Sequence, residues 1–152
     1  PDEVLAQALQ NLKAQKPRAI GLDIYRDLPV EPGHQNLVKV FESTPNLIGI
    51  EKIVGNTRSG SIAPSPVLSK KGQIASNDVI VDGDGKIRRG LLYLNPPGRK
   101  PIAGLALKLA MIYLQGEGIT PERAENGNLR LGKTVFKPFE ADDGSYVRAD
   151  AG

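Results

Sequence analysis

The first half of the chain alternates between segments with a helical spacing of hydrophobic residues and short, uniformly hydrophobic runs. Residues 2–15 predict a helix that ends before Pro17, because apolar side chains recur there every three or four positions. Its apolar stripe consists of Val4, Leu5, Ala8, Leu9 and Leu12. Residues 19–25 are too few for a helix and lack strict alternation, so they predict a buried parallel strand. A second cycle predicts a helix at residues 34–43 and a strand at residues 47–54.

The second half of the chain holds one polar loop, two extended segments and the clearest helix. The loop covers residues 55–72. The extended segments, residues 74–81 and 86–94, flank an Asp-Gly-Asp-Gly sequence that tolerates positive φ, so they predict an antiparallel hairpin. Residues 101–115 predict a helix with one apolar face.

The C-terminal quarter carries weaker signals. Residues 129–131 and 134–136 predict a small hairpin, residues 120–122 resemble the start of a helix, and residues 141–152 predict no closed element. No repeat or linker divides the chain, so we expect residues 1–152 to form one domain. Helices that alternate with short buried strands predict an α/β fold: a mixed sheet with a parallel core, an added antiparallel hairpin and flanking helices.

Composition removes several classes of function. The chain has 152 residues and no cysteine, which excludes disulfides, thiolate zinc sites and cysteine nucleophiles. The net charge of +3 is small and dispersed, so we expect no nucleic-acid partner. No apolar run approaches the roughly 20 residues of a membrane span. The only methionine is Met111, so we expect an excised domain whose membrane anchor lies outside this chain.

Residues 127–134, Gly-Asn-Leu-Arg-Leu-Gly-Lys-Thr, match the spacing of a phosphate-binding loop. That loop requires a buried strand before it and a helix after it, with the helix N-terminus facing the phosphates. Leu129 and Leu131 alternate as in a strand, and Pro138 is incompatible with a following helix. We therefore interpret the match as a hairpin, and a nucleotide site at Lys133 is the least favoured alternative.

Asp82 and Asp84 resemble the start of a calcium-binding loop. An EF-hand needs an oxygen ligand and a glutamate where this chain has Lys86 and Tyr93. A turn between strands is the better interpretation, although two carboxylates can hold a cation weakly, and we assign no metal.

Two adjacent arginines, Arg88 and Arg89, follow this turn. Neighbouring strand residues face opposite ways, so only one of the two is expected to line a given surface. Either the pair lies in solvent, or one arginine receives a carboxylate such as Asp82, Asp84 or Asp27.

Polar residues cluster at the predicted carboxyl end of the first strand, where open α/β sheets place ligand sites. Two carboxylates in that cluster suit acid–base chemistry or the binding of an amine or a metal. Alternatively, they cap the next turn, and this structural role is the favoured interpretation. The only histidine, His34, is interpreted as a surface residue at a helix start. The candidate ligand-binding residues are Asp23, Tyr25, Arg26, Asp27, Arg88 and Arg89. No motif of a serine hydrolase or zinc protease occurs, so we assign no catalytic residue and no cofactor.

Three blocks of the chain resemble the CHASE2 (CHASE type two) domain family. Residues 16–24, Lys-Pro-Arg-Ala-Ile-Gly-Leu-Asp-Ile, are similar to the family's strand with its aspartate. Residues 77–92 carry Asp-Gly-Asp-Gly-Lys-Ile-Arg-Arg, which resembles its hairpin, and residues 102–114 are similar to its alanine- and leucine-rich helix. Residues 144–150 are like a segment that in the family runs on into a final strand.

The resemblance implies a sensory domain outside the cytoplasmic membrane of a bacterium, linked through membrane spans to a cyclase or kinase. It implies a small-molecule or protein signal, is compatible with a homodimer, and transfers no catalytic residue. The rival hypothesis is a small metal-dependent α/β hydrolase that uses Asp23 and Asp27.

Overall fold

The structure is a computed structural model that describes residues 1–54, 60–140 and 142. These residues form four helices and eight short strands. In chain order they are α1 (Asp2–Ala14), β1 (Ile20–Gly21), α2 (His34–Glu42), β2 (Leu47–Glu51), α3 (Pro66–Lys70), β3 (Ile74–Ser76), β4 (Tyr93–Leu94), β5 (Ile102–Ala103), α4 (Leu105–Gln115), β6 (Pro121–Arg123), β7 (Leu129–Leu131) and β8 (Thr134–Val135).

A parallel sheet of three strands, in the order β1-β2-β3, forms the centre of the fold. Ile20 is opposite Leu47, and Gly49 is opposite Ile74. All five residues of β2 are buried, as expected for a strand covered on both faces. The predicted parallel core and the mixed α/β class are therefore confirmed.

Helices cover both faces of this sheet. On one face, α1, α2 and α3 enclose the main core, which consists of Ala6, Leu9, Ile20, Leu22, Leu37, Val40, Phe41, Leu47 and Leu68. Successive strand residues point to opposite faces, so Gly21 faces away from the core that contains Ile20. A Cβ on Gly21 would lie 2.7 Å from Leu109 Cδ1, which places α4 against the second face.

The buried side of α1 differs from the predicted stripe. Asp2, Ala6 and Leu9 are buried, whereas Val4 and Leu12 are 66% and 51% exposed. The spacing i, i+4, i+7 is helical in both cases, and the buried side is the one that carries the aspartate.

The predicted hairpin of residues 74–81 and 86–94 is wrong in its pairing. Its first segment contributes β3, which joins β2 in parallel, and within residues 77–92 the structure assigns no strand. Only the turn is present, where the Asp82 N–H donates to the Lys86 carbonyl at 2.9 Å. The predicted loop at 55–72 contains α3, a single helical turn that supplies the crossover to a parallel β3. The second segment contributes β4, which pairs antiparallel with β5.

Two boundaries near the C-terminus also differ from the sequence prediction. The fourth helix begins at Leu105, because Ile102 and Ala103 are held in β5. Residues 121–123 form β6 and not the first turn of a helix.

The hairpin of β7 and β8 is confirmed, and Lys133 lies in its turn, so residues 127–134 do not form a phosphate-binding loop. Within the described ranges, no helix is both long and apolar enough to cross a membrane.

Candidate functional site

The first residue of α1 carries a fully buried carboxylate, that of Asp2 (0% exposed). Its Oδ2 lies 2.8 Å from His34 Nδ1 and accepts the Val30 N–H at 3.2 Å. Its Oδ1 lies 3.1 Å from Arg26 Nε, an ion pair that does not reach hydrogen-bond geometry. These three partners come from the loop between β1 and α2 and from the start of α2, so Asp2 joins α1 to both.

The electrostatics of this cluster keep Asp2 ionised. Burial raises the pKa of the Asp2 carboxyl, but the hydrogen bonds from His34 and Val30 and the charge of Arg26 outweigh burial, so the pKa lies below its ordinary value. An ionised carboxylate only accepts hydrogen bonds, so Nδ1 of His34 is the protonated ring nitrogen of this contact.

Backbone contacts fix the same junction. Asp2 N–H donates to the Val30 carbonyl at 2.8 Å, and Glu3 N–H donates to the Pro32 carbonyl at 2.9 Å. Gly33, the N-cap residue immediately before α2, has a φ of 96°, a left-handed conformation, and a side chain there would overlap Glu3. Only glycine allows this approach of the two helix starts.

The Asp2 cluster lines a small cavity, which we name the first-loop cavity, of about 150 Å³. Its ionisable lining residues are Asp2, Arg26, Asp27 and His34. The remaining wall is almost entirely apolar and consists of Leu28, Pro29, Leu37, Val38, Phe41, Pro66 and Val67, with the polar Ser65 beside it. A compact apolar pocket with a few convergent polar groups is the usual form of a small-molecule site.

A second polar group lies where the parallel strands end. Asn77, which follows β3, donates to Asp23 Oδ1 at 2.7 Å. Asp78 accepts the N–H groups of Ile53 and Val54, both at 2.9 Å. These contacts tie together the segments that leave β1, β2 and β3, and Asp23 is one of the residues that join them.

The last residue of β2 also carries a buried acid. The Glu51 side chain is 6% exposed and accepts two hydrogen bonds of 3.0 Å from Arg99, whose side chain is 51% exposed. These bonds raise the pKa of Arg99. The pair connects the central strand to the segment before β5.

The turn at residues 82–89 forms a third polar group. Arg88 donates to both oxygens of Asp84, at 2.8 and 2.7 Å, and to Asp82 at 2.9 Å. Arg89, whose side chain is 6% exposed, lies 2.9 Å from the other oxygen of Asp82 and 5.3 Å from the Phe139 ring. The bonds from Arg88 lower the pKa of Asp84 to about 2, and the same bonds raise the pKa of Arg88.

This turn corrects the expectation that only one of the two arginines faces a given surface. Both reach Asp82, because residues 86–90 are not in a strand and the alternation of strand side chains does not apply. The carboxylates that resembled a calcium loop receive arginines. Among the described residues, no group of three or more histidine, aspartate or glutamate side chains is arranged to hold a metal ion.

The structure separates the six candidate residues into three places. Arg26 and Asp27 line the first-loop cavity, and the Tyr25 carbonyl accepts a bond from Arg26 at 3.0 Å. Asp23 bonds Asn77 and is not among the residues lining that cavity, so the two acids of the hydrolase hypothesis have different neighbours. Arg88 and Arg89 belong to the turn at residues 82–89.

Sequence reasoning missed two residues of the cavity. From the sequence, Asp2 receives no site role and His34 is interpreted as a surface residue, yet the His34 side chain is only 28% exposed and contacts Asp2. The available signal was the helical spacing of Asp2, Ala6 and Leu9, which puts the carboxylate on the core side of α1.

Comparison with known proteins agrees with the resemblance. The model of the CHASE2 domain family matches residues 1–149 of the 152-residue chain. Searches of curated proteins and of solved structures gave no match. The matched range includes the first-loop cavity and the turn at residues 82–89, and the family's extracellular character supports an extracytoplasmic placement. The chain belongs to the CHASE2 domain family of extracellular sensory domains.

Proposed function

We propose that this chain is the signal-sensing domain of a bacterial transmembrane receptor and that it controls a cytoplasmic cyclase or kinase. In this proposal the domain stands on the outer face of the cell membrane, is anchored by segments outside this chain, and performs no catalysis itself. The family match supports the sensing role. The observation that carries the proposal is the first-loop cavity, because it lies where separate elements meet.

Residues from four parts of the fold line that cavity. Asp2 begins α1, Arg26 lies in the loop after β1, Phe41 belongs to α2, and Val67 belongs to α3. A ligand held between these elements contacts all of them at once. It changes their arrangement only if its affinity differs between two arrangements, which is the requirement for any ligand-driven signal.

A variant that fills the cavity tests the proposal in the full-length protein in its membrane. Val38 lines the cavity, and Val38→Phe adds a bulky ring in the space a ligand would need. We expect this variant to hold the output of the cytoplasmic module at one level under all growth conditions, whereas the wild-type output varies. The matched control is Val135→Phe, because Val135 is 39% exposed and lies in β8, away from the cavity.

Two results would contradict the proposal. One is a full-length gene product with neither a membrane-spanning segment nor a cytoplasmic signalling module. The other is a Val38→Phe receptor that folds, reaches the membrane and responds as the wild type does.

A further inference from the structure

The positive and negative charges on the residues that line the first-loop cavity do not all form pairs. Asp2 and Arg26 form an ion pair at 3.1 Å and offset each other. Asp27, which is half-buried, has no hydrogen bond or ion pair among the described residues. The cavity therefore presents a carboxylate that no cation of the described chain contacts.

One of the lining residues also carries a buried acceptor without a hydrogen bond. Oδ1 of the fully buried Asp2 makes none within the described chain, where its polar contact is the ion pair with Arg26. Buried carboxylate oxygens normally receive hydrogen bonds, so this oxygen retains an unused acceptor capacity. An ammonium group carries three N–H donors and no acceptor, so it matches two carboxylates that line one small cavity better than an anion does.

The volume and the apolar wall of the first-loop cavity restrict the part of the ligand beyond its ammonium group. A cavity of about 150 Å³ is comparable to the engineered apolar cavity that holds benzene, a molecule of six heavy atoms. Leu37 and Phe41, both buried, form part of its wall together with Val38 and Val67. Such a wall favours a short hydrocarbon. The cavity volume excludes a ligand as large as a peptide or a nucleotide.

We propose that the first-loop cavity binds a small aliphatic amine in its protonated form, with the ammonium at Asp27 and Asp2 and the hydrocarbon against Leu37 and Phe41. The ligand class deepens the proposed sensing function and rests on it, since it names the chemistry of the signal. Burying an ammonium is costly unless it is paired, and the two carboxylates supply the pairing.

An isosteric series tests the ligand class on the purified chain. Butylammonium, butyrate and 1-butanol have similar shapes and differ in charge. At equal ionic strength we expect butylammonium alone to raise the melting temperature in a saturable way at millimolar concentrations, with a matching calorimetric isotherm. Asp27→Asn should weaken this binding about tenfold or more, because it removes the charge that faces the ligand.

The matched control is Asp23→Asn, which removes the same charge from a residue outside the cavity and should leave the affinity within about twofold of the wild type. Three results would overturn the inference: no binding of butylammonium, butyrate or butanol that binds as tightly, or an Asp27→Asn affinity equal to that of the wild type. If the Val38→Phe receptor is still locked, these results reject the amine but not the sensing function. If butylammonium binds and the Val38→Phe receptor signals normally, the sensing function fails instead.

Discussion

Removal of the Asp2 carboxylate by Asp2→Ala should be among the more damaging single changes outside the apolar core. It deletes the contacts of His34 and Val30 with Oδ2, at 2.8 and 3.2 Å, and the ion pair with Arg26. A hydrogen bond to a charged group contributes about 1.5–3 kcal/mol, and breaking a fully buried pair costs about 3–5 kcal/mol.

The exposure of the partners reduces that cost. The side chains of Arg26 and His34 are 24% and 28% exposed, so water recovers part of their solvation once Asp2 is gone. We therefore expect a loss of about 3 kcal/mol in the free energy of unfolding. For a chain of this length, that loss lowers the melting temperature by about 6–12 °C.

Urea unfolding followed by circular dichroism at neutral pH measures this loss. Glu3→Gln is the matched control, because it removes the same charge from the next residue of α1, where the side chain is exposed. The control should stay within about 0.5 kcal/mol of the wild type. If Asp2→Ala costs no more than Glu3→Gln, the buried cluster does not stabilise the junction and the reasoning is wrong.

The pH dependence gives the same prediction a second measurement. The pKa of Asp2 is lowered in the folded state, so in acid the unfolded chain takes up the proton first. The stabilisation by Asp2 is therefore complete above the ordinary pKa of 3.8 and disappears as the pH falls through the folded value. The unfolding free energies of the wild type and Asp2→Ala should converge in acid, and a constant difference would contradict the assignment.

Three further outcomes are expected. Gly33→Ala should cost about 2 kcal/mol or more in urea unfolding, since a side chain there is strained and overlaps α1, whereas Gly118→Ala, with positive φ and open space, should cost about 1 kcal/mol. Arg99→Ala should lower the free energy of unfolding by roughly 1–2 kcal/mol more than Glu51→Gln does. Arg99→Ala leaves the buried Glu51 carboxylate without its cation, whereas Glu51→Gln leaves only a half-exposed guanidinium without its anion. The carboxyl of Asp84 should titrate in carbon-13 NMR with a pKa of about 2, so its ion pair with Arg88 persists until the pH falls toward that value. A measured pKa near 3.8 would contradict this ion pair.

Local periodicity accounts for the elements that could be predicted. The first two helices follow from apolar spacing and their strands from short apolar runs, within windows of 7 to 14 residues. The pairing of β3 depends on β2, more than 20 residues earlier, and on a crossover helix of only 5 residues, α3. Elements this short show no hydrophobic periodicity, so the Asp-Gly turn was the main signal and it predicted a hairpin. The structure instead buries Ala75 and Ser76 in the parallel sheet.

The candidate site shows the same division. The cluster of polar residues after the first strand was predicted, and two of its members, Arg26 and Asp27, line the cavity. The buried partner that joins this cluster, Asp2, lies 24 positions before Arg26 and 32 positions before His34 in the chain. The helical spacing of Asp2, Ala6 and Leu9 indicates a core side for Asp2, but it competes with the larger apolar stripe that includes Val4 and Leu12. The loop that folds back over Asp2 decides between the two sides.

A buried ion pair is a poor source of net stability, since an apolar cluster of the same volume is often as stable. What the Asp2 cluster provides is a fixed arrangement of three segments, because in the described chain the carboxylate on α1 is contacted by side chains from the loop after β1 and from α2. Apolar contacts such as those of the wall beside it are non-directional, whereas the hydrogen bonds of Asp2 do not tolerate a shift of 1 Å. A cationic group that competes with Arg26 for Asp2 would therefore act on the contact that sets the position of α1. In the proposed sensing function, the first-loop cavity thus combines a ligand-sized space with the contact through which occupancy of that space would move a helix.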